Sequence, residues 1–560
     1  MDGLPPEMVV RVLMQLEPED LSRCDQLSRR FHGLTSFAEK ALGLFMHIEP
    51  DELLHERFRL WYGQQRSLVE EALRRLATDG GYTLPEMLPS NHVNWTQALL
   101  FLAMLRRDSN RKRVAATSDF NLNSDFFPFP QSSAFLDADG TLLMCGANPK
   151  YHARKFCRGQ EIRQNIAAPI AGFTGVRVQS VAASTLYTIV LAVDGTVYSW
   201  GRGFQGTLGH GDTRDVAQPT RIRALSNVCA IATGINHALA IKADGSLWSW
   251  GSVTAEKNLL GNGDEPSGGC STLPTRIESL AGLRICAVSA GDHHSLAACA
   301  HRGCFSWGKN TCHVLGLRSR EIKLLPRVGA ESDGDESELA YASVPHPVHA
   351  LRNERVRSCA TSFCWSYAVT AQGAIWRWGE LSSDGRVRPA TLVRTPLDGL
   401  RVVSVALSEV HALAITADGA VHSWWLRNAF PMELNRIRGR LDRYDVLGHG
   451  DAHDAPLERV CSPRLIEALA GQQICSIAAC HAHSIAAGWT NNAAGDAPAP
   501  DGLAQRPQWA RWSWGLTLPT EREQNRLGHG EYHTTANLPR RVMGIGGNQS
   551  ESTAANMSRS

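Results

Sequence analysis

The stretch VCAIATGINHALAIKADGSLWSWG, residues 228–251, decides the fold. Apolar residues alternate through 228–243, Asp244-Gly245 follows, and a second apolar run ends at Trp250-Gly251. Alternation with a period of two is typical of β-strands, and Asp-Gly is typical of a two-residue hairpin turn. The stretch therefore predicts a strand, a tight turn and a second antiparallel strand.

The same unit recurs along the chain. The copies read DGTLLMCG (139–146), DGTVYSWG (194–201), DGSLWSWG (244–251), RGCFSWG (302–308), QGAIWRWG (372–379), DGAVHSWW (418–425) and WARWSWG (509–515). Most neighbours are roughly fifty residues apart, a period typical of repeat architectures. The first copy is degenerate, because Cys145 stands in place of the tryptophan.

Two further motifs follow the Trp-Gly pair in several copies. The first is LGHGD (208–212 and 447–451) or LGNGD (260–264), and the second is a Pro-x-x-Ile step (219–222 and 274–277). We expect the first to form a loop and the second to open the next strand. The copies after Ile322, Gly379 and Trp425 lack the glycine motif or carry insertions, so the loop shapes there are not predicted.

A single sheet of this kind cannot bury both of its faces, so neighbouring copies must stack, and short strands at this period close into a propeller. The combined motifs resemble the regulator-of-chromosome-condensation repeat family over roughly residues 130–545. The resemblance implies a mainly β fold, a seven-bladed β-propeller. The repeat residues expected to be structural are Gly146, Trp200, Gly201, Trp250, Gly251, Trp307, Gly308, Trp378, Gly379, Trp424, Trp514 and Gly515.

The N-terminal stretch LPPEMVVRVLMQLEPEDLSRCDQLSRRFHGL, residues 4–34, has apolar residues at helical spacing, and Asp20 can cap a second helix. The pattern resembles the F-box, with Phe31 in place of that family's usual tryptophan. The resemblance implies a small all-α domain that docks a Skp-type adaptor helix to helix. The residues expected to face the adaptor are Leu4, Pro5, Val9, Leu13, Leu16 and Leu21. An ordinary amphipathic hairpin packed on the propeller is the alternative.

These patterns predict four regions: an F-box-like domain (1–47), a helical spacer (48–115), the propeller (116–545) and a disordered tail (546–560). Two polar insertions, 329–347 and 488–507, cannot form a core and are expected to be mobile loops on the rim. The first copy looks truncated before Ser133, and the last repeat begins at Leu538 without reaching its own turn. We therefore expect 541–545 to lie beside 134–146 and close the ring.

Composition excludes several classes of protein. The formal net charge of +2 gives no sign of a nucleic-acid or membrane partner. No apolar run reaches the ~20 residues that span a bilayer, and no secretory signal is visible. The 14 cysteines are scattered without metal spacing, which indicates free thiols and a cytoplasmic or nuclear location. Neither a metal nor a cofactor is expected.

Three apparent sites are better explained as parts of the repeat. GRGFQG (201–206) matches a dinucleotide fingerprint but is followed by turn residues instead of a helix. The repeat histidines 237, 294, 411 and 483 are spread one per copy, which indicates structural roles instead of a metal site. The chromophore motif of the plant ultraviolet-B photoreceptor family has a Trp two residues before this histidine. This chain has Ile235, Asp292, Glu409 and His481 at those positions, so the motif is absent.

No catalytic residues can be assigned, so we expect a non-enzymatic scaffold. The leading hypothesis is a substrate receptor of a Skp–cullin–F-box-type ubiquitin ligase, with an unknown target protein on the propeller. A second hypothesis is a guanine-nucleotide exchange factor or chromatin-associated regulator for a small GTPase. A third is a general interaction platform or a photoreceptor-like protein, in which the N-terminal hairpin serves only for packing.

Overall fold

The computed structural model describes residues 114–116, 132–146, 164–170, 173, 175–184, 186–253, 259–263, 269–299, 302–324, 340–379, 391–392, 397, 399–426, 446–450, 461–480, 483–490, 508–516 and 535–542. These residues form seven antiparallel sheets in sequence order, a seven-bladed β-propeller. The predicted mainly β fold is confirmed. The predicted F-box-like domain, nearly all of the helical spacer and the tail lie outside the described residues. Within the described part of the chain, no helix has the length and apolar character needed to cross a membrane.

Each blade takes its strands from one continuous part of the chain. The strands of blades 1 to 3 are β1 (Val114–Ala116), β2 (Ser132–Leu136), β3 (Leu142–Gly146) and β4 (Gln164–Pro169); β5 (Val178–Ala183), β6 (Tyr187–Ala192), β7 (Val197–Gly201) and β8 (Val216–Arg221); and β9 (Val228–Thr233), β10 (His237–Lys242), β11 (Leu247–Val253) and β12 (Gly269–Arg276). The lowest-numbered strand of each blade is the innermost, and the order runs outward.

Blade 4 differs from the others in having five strands, in the order β13-β14-β15-β17-β16. The strands of blades 4 and 5 are β13 (Ile285–Ala290), β14 (His294–Cys299), β15 (Gly303–Lys309), β16 (Lys323–Leu324) and β17 (Ala340–Pro347); and β18 (Val356–Thr361), β19 (Ser366–Thr370), β20 (Ile375–Trp378) and β21 (Thr391–Leu392). Those of blades 6 and 7 are β22 (Val402–Leu407), β23 (His411–Thr416), β24 (Val421–Trp425) and β25 (Arg464–Leu465); and β26 (Gln473–Ala479), β27 (His483–Thr490), β28 (Gln508–Leu516) and β29 (Thr535–Arg541).

Short 3₁₀ turns connect several strands, and they are the helical segments of the described residues. They span Phe204–Gly206, Glu278–Leu280, Thr311–His313, Ser319–Glu321, His349–Leu351 and Glu467–Leu469.

The Asp-Gly pairs form the predicted hairpin turns between the second and third strands of a blade. In blade 2, β6 is buried throughout and turns at Asp194-Gly195 into β7. The Asp194 side chain accepts a hydrogen bond from the Thr196 N–H at 2.9 Å, and Gly195 adopts φ +81°. An L side chain is strained at that φ, so glycine is the residue that permits the turn.

The Pro-x-x-Ile step does not open a new strand, and this expectation was wrong. Pro219 lies within β8, and Pro274 lies within β12, the outermost strands of blades 2 and 3. An outer strand has one unpaired edge, so a residue without an N–H is tolerated there. The isoleucine that follows, such as Ile222 or Ile277, is buried and its N–H pairs with the third strand of its own blade.

The first and last blades of the described propeller meet as expected, but not by exchanging a strand. Val542 lies in one buried cluster with Phe135, Leu143 and Cys145, which confirms the expected proximity for the described part of 541–545. The first blade is nevertheless complete, because its innermost strand β1 precedes residue 132. The C-terminal strand β29 pairs with β28 of blade 7. Side-chain packing, and not a shared strand, therefore closes the ring.

Three predicted boundaries need correction. The propeller begins at Val114, two residues inside the predicted spacer. Residues 340–347 of the first insertion are the strand β17, and residues 488–490 of the second belong to β27. Among these, β17 lies in the outer part of blade 4 and mixes buried with half-buried residues, so composition alone did not separate it from the insertion. The remainder of both insertions lies outside the described residues.

Candidate interaction surfaces

The tryptophan of the Trp-Gly pair joins neighbouring blades. Its indole Nε1 donates a hydrogen bond to a backbone carbonyl in the loop of the preceding blade. These contacts are Trp250 to Thr207 at 2.9 Å, Trp307 to Leu259 at 2.9 Å, Trp378 to Val314 at 2.7 Å and Trp514 to Val446 at 2.9 Å. In each case the acceptor immediately precedes a Leu-Gly pair, which opens the glycine-rich motif in three of the four cases. The two motifs of the repeat are therefore the two halves of one contact between blades.

The same contact explains why a glycine must follow the leucine. Gly209 has φ +73°, and a Cβ there would lie 3.0 Å from the Trp250 Nε1. Gly261 stands in the same relation to Trp307, at 2.9 Å, and Gly448 to Trp514, at 2.8 Å. A side chain at these positions would push the indole away from its carbonyl acceptor. The Leu-Gly pair is thus a seat for the next blade's tryptophan.

The repeat histidines form a second set of contacts between blades, which we call the His–Ser latches. Each imidazole Nε2 hydrogen-bonds to a serine hydroxyl in the following blade. The pairs are His237–Ser295 at 2.7 Å, His294–Ser366 at 2.8 Å, His411–Ser484 at 2.7 Å and His483–Ser133 at 2.9 Å. The structural reading of these histidines is confirmed, and the last pair spans the closure between blades 7 and 1.

Sequence reasoning found the histidines but missed their partners. Where the following blade has alanine instead of serine, at Ala238 and Ala412, the preceding blade has Tyr187 or Trp365 instead of histidine. The Tyr187 hydroxyl instead donates to the His237 carbonyl at 2.6 Å. Pairing each repeat position with the next copy, and not only with its equivalents, would have revealed the latches.

Burial keeps two of the latch histidines neutral. His237 and His294 are fully buried, and loss of hydration lowers the pKa of each to about 3, with a smaller contribution from His293. A neutral imidazole can serve as donor or acceptor toward the serine. Such a group is suited to holding blades together and is poorly suited to proton transfer near neutral pH.

The innermost strands enclose an axial channel of about 190 Å³. Small side chains line it, among them Ala182, Thr233, Ala290, Ser404 and Ala478. Its described lining contains no carboxylate, lysine, arginine or histidine. The described lining of the channel therefore offers hydroxyl groups but no charged side chain to orient a small ligand.

Two of the site types rejected in the sequence analysis can be compared with the described residues. The last three residues of GRGFQG (201–206) form a 3₁₀ turn, Phe204–Gly206, and the next element is the strand β8 instead of a helix. A Cβ at Gly203 would collide with the Arg214 carbonyl. Among the described residues, no group of three or more His, Cys, Asp or Glu is placed to hold a metal ion. None of the twelve described cysteines is in a disulfide.

The structural repeat residues are buried where the structure describes them. Trp200, Trp250, Trp307, Trp378, Trp424 and Trp514 all lie in the core. Gly201, Gly251, Gly308, Gly379 and Gly515 have positive φ, and Gly146 ends β3. The adaptor-facing residues Leu4, Pro5, Val9, Leu13, Leu16 and Leu21 lie outside the described residues.

Two protein-family models match segments of the chain. The regulator of chromosome condensation (RCC1) repeat matches residues 194–241 and 244–298. The F-box-like family matches residues 1–37.

Two curated relatives are similar to just over half of the chain. E3 ubiquitin-protein ligase HERC2 of Homo sapiens is 28% identical over 364 residues, 56% of this chain and 7% of HERC2. Ultraviolet-B receptor UVR8 of Arabidopsis thaliana is 28% identical over 322 residues, 55% of this chain and 62% of UVR8. The chain thus spans less than two thirds of the length of either relative.

A solved structure shows the same fold. Prp20p from Saccharomyces cerevisiae, described with its binding properties to Gsp1p and histones, has a TM-score of 0.53 and 16% identity, covering 75% of this chain and 88% of Prp20p. Together with the two family matches, the seven sheets identify the chain as one that carries an F-box-like N-terminus and RCC1 repeats folded into a seven-bladed β-propeller.

Proposed function

We propose that the protein is a non-catalytic substrate receptor of a Skp–cullin–F-box-type ubiquitin ligase, acting in the cytoplasm or nucleus. The observation that carries the proposal is the F-box-like match to residues 1–37 on the same chain as a propeller. The F-box-like segment docks the Skp-type adaptor, and the propeller holds a target protein. Ubiquitin transfer is performed by other subunits.

The architecture suits a scaffold. A propeller with interlocked blades presents a rigid surface, and attachment to the ligase raises the local concentration of the bound target near the transferring subunits. The proposal assigns no chemical step to this chain. The neutral, buried His237 and His294 and the uncharged axial channel of the described part support that assignment.

The test is complex formation between the intact chain and a recombinant Skp-type adaptor. Co-elution from a size-exclusion column as one species is the result we expect. Separate elution would remove the basis for a ligase role.

Guanine-nucleotide exchange on a small GTPase is the competing function, since the repeat family is named for a protein of that kind. In that case the chain accelerates release of a fluorescent nucleotide from a GTPase, and the F-box-like segment is dispensable. We expect no acceleration, and a clear one would replace the ligase proposal.

A further inference from the structure

The hairpin turns between the second and third strands lie on one face of the propeller, which we call the turn face. At Asp139, Asp194 and Asp244 the carboxylate accepts the N–H two residues further on, at 2.9, 2.9 and 2.8 Å. Such a bond stabilises a tight turn. The aspartate is therefore a structural part of the repeat.

Two adjacent copies lack this aspartate. Arg302 replaces it in blade 4, and Gln372 replaces it in blade 5. Both copies keep the glycine, with φ +73° at Gly303 and +89° at Gly373, so the turn itself is retained. At this position blade 4 therefore has a positive charge where other blades have a stabilising carboxylate.

Further arginines lie around these two turns and beside Gly245 in the neighbouring turn of blade 3. We call Arg284, Arg302, Arg352, Arg355, Arg357 and Arg401 the arginine cluster. A Cβ on Gly303 would lie 3.3 Å from the Arg352 Cα, which places Arg302 beside Arg352. Ala371 accepts a hydrogen bond from the Arg401 guanidinium at 2.9 Å and donates its N–H to the Arg355 carbonyl at 2.7 Å. The cluster thus spans the turn face from blade 4 to blade 6.

Most of this charge is not neutralised within the described structure. Arg284, Arg302, Arg352 and Arg355 are exposed, and no described carboxylate forms an ion pair with any of them. Glu354 lies in sequence between Arg352 and Arg355, and its side chain is half-buried.

The neighbouring part of the turn face is balanced instead. Arg276 pairs with Glu278 at 3.9 Å, and Arg221 helps to lower the pKa of Asp194, a shift caused mainly by the backbone hydrogen bond from Thr196. The excess of positive charge is therefore local to blades 4 to 6.

We propose that the arginine cluster binds an acidic segment of a partner protein, rich in Asp or Glu. Guanidinium groups form paired, charge-assisted hydrogen bonds with carboxylates, and an anionic partner relieves the repulsion among neighbouring arginines. Leu400, exposed by 43%, lies directly beside Arg401 and offers an apolar contact. That contact favours a polypeptide over a phosphate backbone, which gains little from an aliphatic side chain. The inference rests on the proposed function in one respect, since the segment then belongs to the ligase target.

The test measures binding of a fluorescein-labelled oligoglutamate peptide to the full chain by fluorescence anisotropy. The variant Arg302→Asp with Arg352→Glu reverses the sign of two adjacent charges, and Arg302→Asp restores the residue that sister copies already carry. The matched control, Arg221→Glu with Arg223→Glu, makes the same change in net charge at an exposed part of the turn face in blade 2. We expect the first variant to weaken binding about tenfold and the control less than about twofold, with binding falling as salt rises.

Equal losses in both variants, or no binding by the unaltered chain, would overturn the proposal. So would tighter, cluster-dependent binding of duplex DNA or of phosphatidylserine vesicles, tested in parallel. Adaptor co-elution is measured on the same variants and should be unchanged. If the unaltered chain binds the adaptor but not the peptide, only this inference is contradicted; if it binds the peptide but not the adaptor, only the ligase role is contradicted.

Discussion

At the scale of single residues, the residues that recur in each copy of the repeat form contacts between blades. Burial of the Trp-Gly tryptophans could be predicted, because large aromatic side chains at alternating positions belong in a core. The acceptor of each indole could not, because it lies in the preceding copy, 43 residues away for Trp250 and Thr207.

Trp250→Ala tests this contact. The side chain is fully buried, and its removal leaves a cavity and an unpaired Thr207 carbonyl. We expect a loss of about 3–5 kcal/mol in the free energy of unfolding, measured by guanidinium denaturation. Trp248→Ala, which removes a half-buried indole two residues earlier, should cost clearly less. Equal losses would mean that the seat is not what makes Trp250 important.

The buried histidines predict a pH dependence. In the unfolded chain a histidine titrates near about 6.5, whereas His237 and His294 have pKa values of about 3 in the fold. The unfolded state therefore binds more protons below the unfolded pKa, and stability falls as the pH is lowered from neutrality, by up to about 1.4 kcal/mol per pH unit for each histidine. We expect the melting temperature to drop between about pH 7 and pH 5, and to drop less in His237→Tyr. A melting temperature that is constant over this range would contradict the burial of these groups.

At the scale of elements, the strand–turn–strand unit was predictable, but the contacts between neighbouring blades were not. Local alternation and Asp-Gly define a hairpin wherever they occur. The outer strands were misread, because β8 and β12 contain proline and polar residues and have no period-two pattern of their own. The His–Ser latches were missed because each joins residues 58 to 350 positions apart.

One latch can be tested by replacing its His–Ser pair with the Tyr–Ala pair that the chain has between two other blades. Ser295→Ala leaves the buried His237 Nε2 without its partner and should cost about 1–3 kcal/mol of unfolding free energy. Adding His237→Tyr should recover part of that loss, because the chain itself combines Tyr187 with Ala238 at the contact between blades 2 and 3. Chemical denaturation of the two variants decides the matter. A double variant no more stable than Ser295→Ala would show that the two positions are not coupled in this way.

At the scale of the whole molecule, closure of the ring was foreseen from the chain ends, but its mechanism was not. The absence of an alternating run before Ser133 suggested a missing strand, yet β1 supplies it from further upstream. What closes the ring is the His483–Ser133 latch, the Trp509 indole bonded to the Leu136 carbonyl at 3.0 Å, and the cluster around Val542. Such long-range packing leaves no local pattern in the sequence.

Truncation after Asn537 should therefore weaken the entire ring. It removes Val542, whose N–H bonds to the Arg511 carbonyl at 2.8 Å and whose side chain packs against the first blade. Because repeat proteins depend on interfaces between neighbours, we expect a lower melting temperature for the whole cooperative transition. A control that ends at Gly546 should melt like the intact chain. Unchanged melting after truncation at Asn537 would show that the closure does not depend on this segment.

The account as a whole depends on the N-terminal segment docking an adaptor while the propeller remains an independent scaffold. The direct measurement is the affinity of the full chain for a Skp-type adaptor, compared with Leu13→Asp, Leu16→Asp and a control, Leu68→Asp, in the predicted spacer. A carboxylate buried at a docking surface is strongly unfavourable, so both test variants should lose detectable binding while the control binds normally and all three melt like the intact chain. Binding by Leu13→Asp and Leu16→Asp that equals that of the intact chain would contradict the account.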